Sequence, residues 1–212
     1  MIPFEKALDI VLKNAVELST ENVSLRQSLN RVLAEEIVAD RDMPPFHKSA
    51  VDGYACQNPS DGDQLKVTEV IPAGQTPQFK IHKGQCSKIM TGAEVPEGAD
   101  WVVMVEDTQV PEENVVNIIR KGKKSNIAAK GENFKKGDKI LPKGVLIKPQ
   151  HIAILASVGA VNPEVYQLPS VNILTTGNEL VEPDSIPASG QIRNSNASQL
   201  ITQFNDIGIE PH

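Results

Sequence analysis

The first twenty residues carry an apolar stripe at helical spacing. Phe4, Ala7, Leu8, Val11, Leu12, Ala15 and Leu18 recur at i, i+3/i+4. Pro3 suits the first turn of such a helix, where its missing N–H has no intrahelical partner to lose. A helix of this length is marginal by itself, so the stripe needs something to pack on. Asn22–Leu25 then reads as a short strand. A second helical rhythm follows, with Leu25, Leu29, Val32 and Leu33 on one face, and Glu36–Ala39 runs extended beyond it.

From about residue 54 to 147 the texture changes. Leu65–Ile71, Ser87–Met90, Trp101–Val105 and Val115–Ile119 are short apolar runs parted by Gly, Pro and Asp turns, a pattern that predicts a compact all-β unit. Lys139–Leu141 and Val145–Ile147, either side of Lys143-Gly144, predict a hairpin at its end. Pro149 opens a helix through Ala153, Leu155 and Val158 that Gly159 stops, and Val165–Leu168 looks like a strand. Val171–Thr175 is an apolar run of buried-strand type. After a Pro/Gly/Ser-rich loop, Leu200, Ile201, Phe204 and Ile207 mark the inner face of a helix ended by Gly208. Strand, loop and helix in that order open a parallel α/β sheet, whose strands need neighbours and covering helices. Residue 212 falls where the next strand is expected, which predicts a third domain begun but not completed.

Composition narrows the class. At 212 residues there is room for one or two real cores. With 21 basic against 27 acidic residues, the net charge of −6 gives no bulk attraction to nucleic acid or an anionic membrane. Arg120, Lys121, Lys123 and Lys124 form one local basic cluster, read as a solvated loop. Cys56 and Cys86 show no CxxC spacing and are expected to be free thiols in a reducing compartment. The scattered histidines His47, His82, His151 and His212 have no zinc-site spacing. The N-terminus lacks the basic and apolar regions of a secretory signal. The most apolar stretch, Ile152–Val161, is far shorter than the ~20 residues that span a bilayer. A soluble, cytoplasmic protein is expected.

Candidate chemistry concentrates in Met43-Pro-Pro-Phe-His-Lys-Ser-Ala-Val-Asp-Gly-Tyr-Ala55. Pro44 and Pro45 fix φ and donate no hydrogen bond, while Gly53 permits a bend or a close approach to a ligand. Ser49 and Asp52 then present oxygens on a short, stiff loop, suited to a metal-bridged phosphate or oxyanion. For this run alone, an ordinary surface turn is the commoner explanation.

Three more segments change that balance: Ile89-Met-Thr-Gly-Ala93 with Val95–Asp100 and Val102–Thr108; Asn126-Ile127 through Lys130-Gly-Glu-Asn-Phe-Lys-Lys-Gly-Asp138; and Leu174-Thr-Thr-Gly-Asn-Glu-Leu180 with Gly190–Asn196. Together and in this order the four resemble the molybdopterin molybdenumtransferase family, which includes MoeA and the E-domain of gephyrin. The resemblance implies a multidomain, elongated fold of mixed α/β and β character. Residues 20–40 and 140–168 would form a small linker domain, and 41–139 a β-rich domain inserted into it. Residues 1–19 and 169–212 would supply an N-terminal helix packed on the truncated start of a three-layer, MogA-like α/β domain. The implied reaction inserts molybdenum from molybdate into adenylylated molybdopterin and releases AMP, with Mg²⁺. Asp52, Thr91 and Glu179 match the family's catalytic positions, Ser49 and Gly92 its cofactor-binding ones, and Asp52 and Glu179 its metal carboxylates. The resemblance further implies a homodimer with its cleft between subunits, an upstream molybdopterin adenylyltransferase as partner, and no activity for these 212 residues alone. A non-catalytic dimerisation, scaffold or pterin-binding module of the same fold is the alternative. This chain departs from the family pattern at Ala128 (an arginine in many members), at Asn133 and Asn194 (acids elsewhere) and at His47-Lys48, where Lys48 is expected to offset part of the missing arginine's charge.

Overall fold

The computed structural model describes residues 2–212 and divides the chain into two compact units, Met1–Val38 with Lys139–His212, and Ala39–Asp138. The first begins with α1 (Phe4–Lys13), β1 (Thr20–Asn22) and β2 (Ile37–Val38). The inserted unit carries β3 (Lys48–Ser49), β4 (Gly53–Cys56), β5 (Gln64–Ile71), β6 (Gln85–Ile89) and β7 (Trp101–Met104). After one 3₁₀ turn, Val105–Asp107, it continues with β8 (Thr108–Glu112), β9 (Val115–Ile118) and β10 (Ile127–Ala128). The chain returns to the first unit as β11 (Lys139–Leu141), α2 (Pro149–Ser157), β12 (Glu164–Tyr166), β13 (Leu180–Val181), β14 (Ile192–Arg193) and α3 (Ser195–Asp206). The fold is mixed and β-rich with few helices.

In the inserted unit six strands form one sheet in the order β7-β4-β6-β5-β9-β8, antiparallel except for the parallel β5–β6 pair. Side chains alternate between faces along a strand. Here both faces are covered. Tyr54 and Cys56 join Leu65, Cys86, Val103, Val116 and Ile118 in one cluster, while Ala55 joins Ile71, Ile89, Ala93 and Val102 in another. That is why the apolar runs in this part of the sequence are continuous. Cys56 and Cys86 are free and stand opposite each other in register. Burial pushes both thiols up to about 12, so both are protonated at neutral pH and poor nucleophiles. Gly53 is required by a close approach, as the sequence suggests, but to protein: a Cβ there would overlap the carbonyl oxygen of Val103 on β7.

The other unit departs further from the periodicity. No helix spans 25–33. One turn forms, with Ser28 N–H on the Ser24 carbonyl (3.0 Å), and Asn30 then enters the left-handed region at φ 62°. The N–H groups of Asn30 and Leu33 go to the carbonyls of Ile147 and Val145, both at 2.9 Å. Pairing with a distant segment outcompetes a local helix. It also removes the predicted 139–147 hairpin: Val145–Ile147 lies antiparallel to residues 30–33, and β11 pairs with β2. The core around this pairing holds Leu33, Ile37, Leu141, Ile147, Leu155 and Val165. The helix opened by Pro149 forms as predicted, and Gly159 ends it at φ 74°.

Val171–Thr175 is not a strand, and Leu174 is 88% exposed. Ile173 N–H and the Val171 carbonyl both bond to His212 at 2.9 Å, a single pairing too small to make a sheet. α3 forms where predicted, but of its expected inner face Leu200, Ile201 and Ile207 are exposed and only Phe204 is half-buried. α1 likewise buries no residue, and Phe4 is 75% exposed; its stripe finds no cover in this structure. No described helix is long and apolar enough to cross a membrane.

Candidate functional site

Asp52 and Thr91 are 39 residues apart in sequence, yet they meet because their strands share an end. Gly53, the first residue of β4, is the register partner of Ile89, the last of β6. The residue before one strand and the loop after the other therefore lie side by side. Asp52 Oδ1 accepts hydrogen bonds from both the Thr91 hydroxyl and the Thr91 backbone N–H, each at 2.6 Å. The hydroxyl first, then the N–H, holds this exposed carboxyl below the usual carboxylate range. Oδ2 has no hydrogen bond among the described residues and offers a ligand a hard, charged oxygen.

Ser49 and Gly92 hold this pair in place. The Ser49 side chain is fully buried, and its hydroxyl donates to the Val51 carbonyl at 2.6 Å. Its backbone N–H donates to the Ala93 carbonyl (3.0 Å), and its own carbonyl accepts the Gly92 N–H (2.9 Å). Gly92 has φ +85°, and a Cβ added there would meet only the Ala73 Cβ, at 4.0 Å, so backbone conformation and not crowding selects glycine. The oxygen of Ser49 is thus engaged within its own turn. Glu179 belongs to the discontinuous unit, exposed just ahead of β13, with its carbonyl accepting the Ile192 N–H at 2.7 Å.

The third sequence segment is fastened to the first. β10 pairs with β3, placing Ile127 opposite Ser49 and Ala128 opposite Lys48. Gly131 N–H donates to the Pro44 carbonyl (2.9 Å) and Asn133 N–H to that of Met43 (3.0 Å). Two residues in this fastening were given no role by the sequence. Asp42 accepts the Lys136 N–H at 2.9 Å and lies 3.6 Å from Lys130 Nζ. That N–H first, and the Lys130 charge after it, keeps its carboxyl below the usual range. Asn126, at φ +55°, donates its side-chain amide to the Val102 carbonyl (2.9 Å) and accepts the Ala50 N–H through its own carbonyl (2.9 Å). An asparagine next to a polar turn is the one local signal for such a left-handed residue. The basic cluster is not simply a solvated loop: Arg120 makes two bonds to Asp107 (2.6 and 3.0 Å), and Lys121 Nζ stands 4.2 Å from the Trp101 ring centroid. Asn194, where the family pattern carries an acid, caps α3 by accepting the Ala197 N–H at 3.2 Å.

No group of three or more His, Cys, Asp or Glu among the described residues is placed to hold a metal ion by itself. Mg²⁺ commonly uses one or two carboxylates and completes its octahedron with substrate phosphates and water. An ionised Asp52 with a free Oδ2 fits that role.

Residues 2–159 match the family model for the MoeA N-terminal region (domain I and II). The molybdopterin molybdenumtransferase of Staphylococcus aureus strain Mu50 is 38% identical over 218 residues, covering 99% of this chain and 52% of that protein. The enzyme of the same name from Staphylococcus epidermidis is also 38% identical, with the same coverage. Among solved structures, the molybdopterin biosynthesis moeA protein from Pyrococcus horikoshii OT3 superposes with a TM-score of 0.87 at 34% identity, over 100% of this chain and 59% of that one. A mixed, β-rich fold with few helices is thus shared with proteins of molybdopterin biosynthesis. The chain belongs to the MoeA family, as the N-terminal part of the pattern, and it spans about half the length of the curated relatives it matches.

Proposed function

We propose that this chain is the N-terminal part of a molybdopterin molybdenumtransferase, which inserts molybdenum from molybdate into adenylylated molybdopterin and releases AMP. The carrying observation is the Asp52 carboxylate, fixed through Oδ1 by Thr91 with Oδ2 left free. Bound Mg²⁺ would stabilise charge developing on the anhydride oxygens. Asp52 would hold the ion or its water from the protein side, while Thr91 sets the carboxylate's orientation and Ser49 and Gly92 keep the two loops in contact. Glu179 is a second carboxylate in this reading, offered from the α/β part of the family fold. The discontinuous unit then holds two of the family's parts, residues 20–40 with 140–168 and residues 1–19 with 169–212. The latter are the start of the three-layer α/β domain and the helix that packs on it. The exposed apolar faces of α1 and α3 support that division. The 212 residues alone are inactive, and the working protein is a cytoplasmic homodimer served by an upstream molybdopterin adenylyltransferase.

The test uses the full-length protein with adenylylated molybdopterin, molybdate and Mg²⁺. Asp52→Asn keeps the shape and the acceptor for Thr91 but removes the charge, and AMP release is expected to fall by about 10²-fold or more. AMP release that survives Asp52→Asn removes Asp52 from the mechanism, and a wild-type protein that releases none favours the scaffold alternative.

A further inference from the structure

Cys56 and Cys86 play no part in the site above, yet the sheet sets them side by side. They are register partners across β4 and β6 and belong to one buried cluster, so their side chains project from the same face. Their backbones show which kind of pair this is. In a strand with neighbours on both sides, the N–H and C=O of one residue point to the same neighbour. The Cys56 carbonyl accepts the N–H of Asp100, next to β7, at 3.0 Å, and the Cys86 carbonyl accepts the Thr68 hydroxyl of β5 at 3.1 Å. Each residue therefore turns its backbone groups away from the other. Opposed residues of that kind stand about 4.5 Å apart at Cα, with their side chains at their closest. Disulfides join Cα atoms about 4.4–6.8 Å apart, so the backbone can accept one without rearranging.

The pair is sealed, but thinly at one end. A polar cleft of about 460 Å³ lies where β4 ends and β6 begins. Its lining includes Gln57, which follows Cys56, and Gln85, which precedes Cys86. Leu65 is shared, because it lines the cleft and also packs in the cluster that holds both thiols. Asp52 and Thr91 lie at the opposite end of the same two strands, beside the Gly53–Ile89 pair. With the sheet closed, burial keeps both groups as thiols. Opening a strand end costs less than unfolding the whole unit, and displacement of Leu65 admits water and a small oxidant.

We propose that Cys56 and Cys86 are a redox-responsive pair, closed to a cross-strand disulfide by hydrogen peroxide that enters through this cleft. The thiolate of one cysteine attacks the peroxide, the O–O bond breaks, and a sulfenic acid forms while the released hydroxide takes up the thiol's proton as water. The second thiol attacks that sulfur, the S–O bond breaks, and its proton leaves with the hydroxide as a second water. Two thiols are oxidised and one peroxide is reduced. The new bond closes a loop of about thirty residues and staples the two strands at the end remote from Asp52 and Thr91. A dithiol reductant reverses it by exchange. None of this depends on the function proposed above.

The chain is treated with hydrogen peroxide under native conditions, alkylated, denatured and digested with trypsin, which cuts after Lys48, Lys66, Lys83 and Lys88. The expected product joins residues 49–66 to residues 84–88 with the loss of two hydrogens, and dithiothreitol releases it. The oxidised chain should unfold, followed at Trp101, at a urea midpoint about 1 M higher. Leu65→Ala should close the pair at least about fivefold faster, while Ile71→Ala, a similar truncation on the same strand in the other cluster, should speed closure much less. Sulfinic or sulfonic acid without the link, a link only between chains, or a link that forms only in denaturant overturns the proposal. Equal acceleration by the two alanine variants overturns the cleft as the entrance.

Discussion

The inserted unit and the two chain ends of the other unit carry equally clear apolar patterns, yet they use them differently. In the inserted unit the strands of the central sheet are covered on both sides. β4 is buried at all four residues, and the hydrogen bonds around Asp52 and Thr91 inherit the rigidity of the sheet beneath them. At the ends, α1 and α3 bury nothing, and Leu174 and Ile186 are about nine-tenths exposed. Periodicity alone therefore marks a face that wants covering, while only neighbours convert it into stability. It also follows that Asp52 and Thr91 come together within this chain, whereas Glu179 sits on a segment whose apolar residues are uncovered.

The largest test of this contrast is a matched pair of truncations. Ile89→Ala, deep in the inserted sheet, should cost about 2–5 kcal/mol, while Leu200→Ala on α3 should stay within about 0.5 kcal/mol. Trp101, the only tryptophan, lies in the inserted unit and reports its urea unfolding directly, with circular dichroism following the rest. Equal costs would erase the distinction between the two regions. Next in size is a pair of glycines. Gly53→Ala must push β7 away and should cost about 1–3 kcal/mol by overpacking, whereas Gly92→Ala makes only an ordinary contact with Ala73 and should cost only about 1 kcal/mol, for its positive φ. The same unfolding curves measure both, and a larger loss at Gly92 would mean that the loop and not the sheet is the stiff part.

The smallest effect is a titration. Because Thr91 lowers the Asp52 pKa in the folded state, the bond adds stability above the ordinary carboxylate value of ~3.9 and loses it as pH falls through the folded pKa. Thr91→Val removes the larger cause, the hydroxyl, and keeps the N–H. The Asp52 carboxyl, followed by carbon NMR, should then titrate at higher pH. No upward movement would assign the depression to something other than Thr91's hydroxyl.

The order of segments was enough to place this chain in its family, and β5, β6, β7 and β9 lay within a few residues of their apolar runs, whereas β3, β4, β8 and β10 were not foreseen as strands. Asp52 stood out as a lone carboxylate on a stiff loop before Gly53, although that run alone reads as an ordinary turn, and Thr91 was singled out only through the resemblance of its segment to the family. Their contact was not legible, since it depends on the alignment of Gly53 with Ile89. The failures share one cause. Leu25–Leu33 has helical spacing and Val145–Ile147 follows a good turn, but each finds the other before its local partner, and backbone donors go to whichever acceptors the tertiary fold brings near. The basic run at 120–124 looked solvated because Asp107 and Trp101, which engage it, are distant in sequence.

By itself, then, the sequence determined four of the extended stretches of the inserted unit, because these follow from apolar spacing, and it nominated residues for chemistry through the resemblance of its segments to a family. Tertiary structure alone decided which strand pairs with which, that Ser49 turns its hydroxyl into its own loop, and that Lys48 stands across from Ala128. Register is a long-range property: it is set by burial on both faces of a sheet, and no local window of residues contains it.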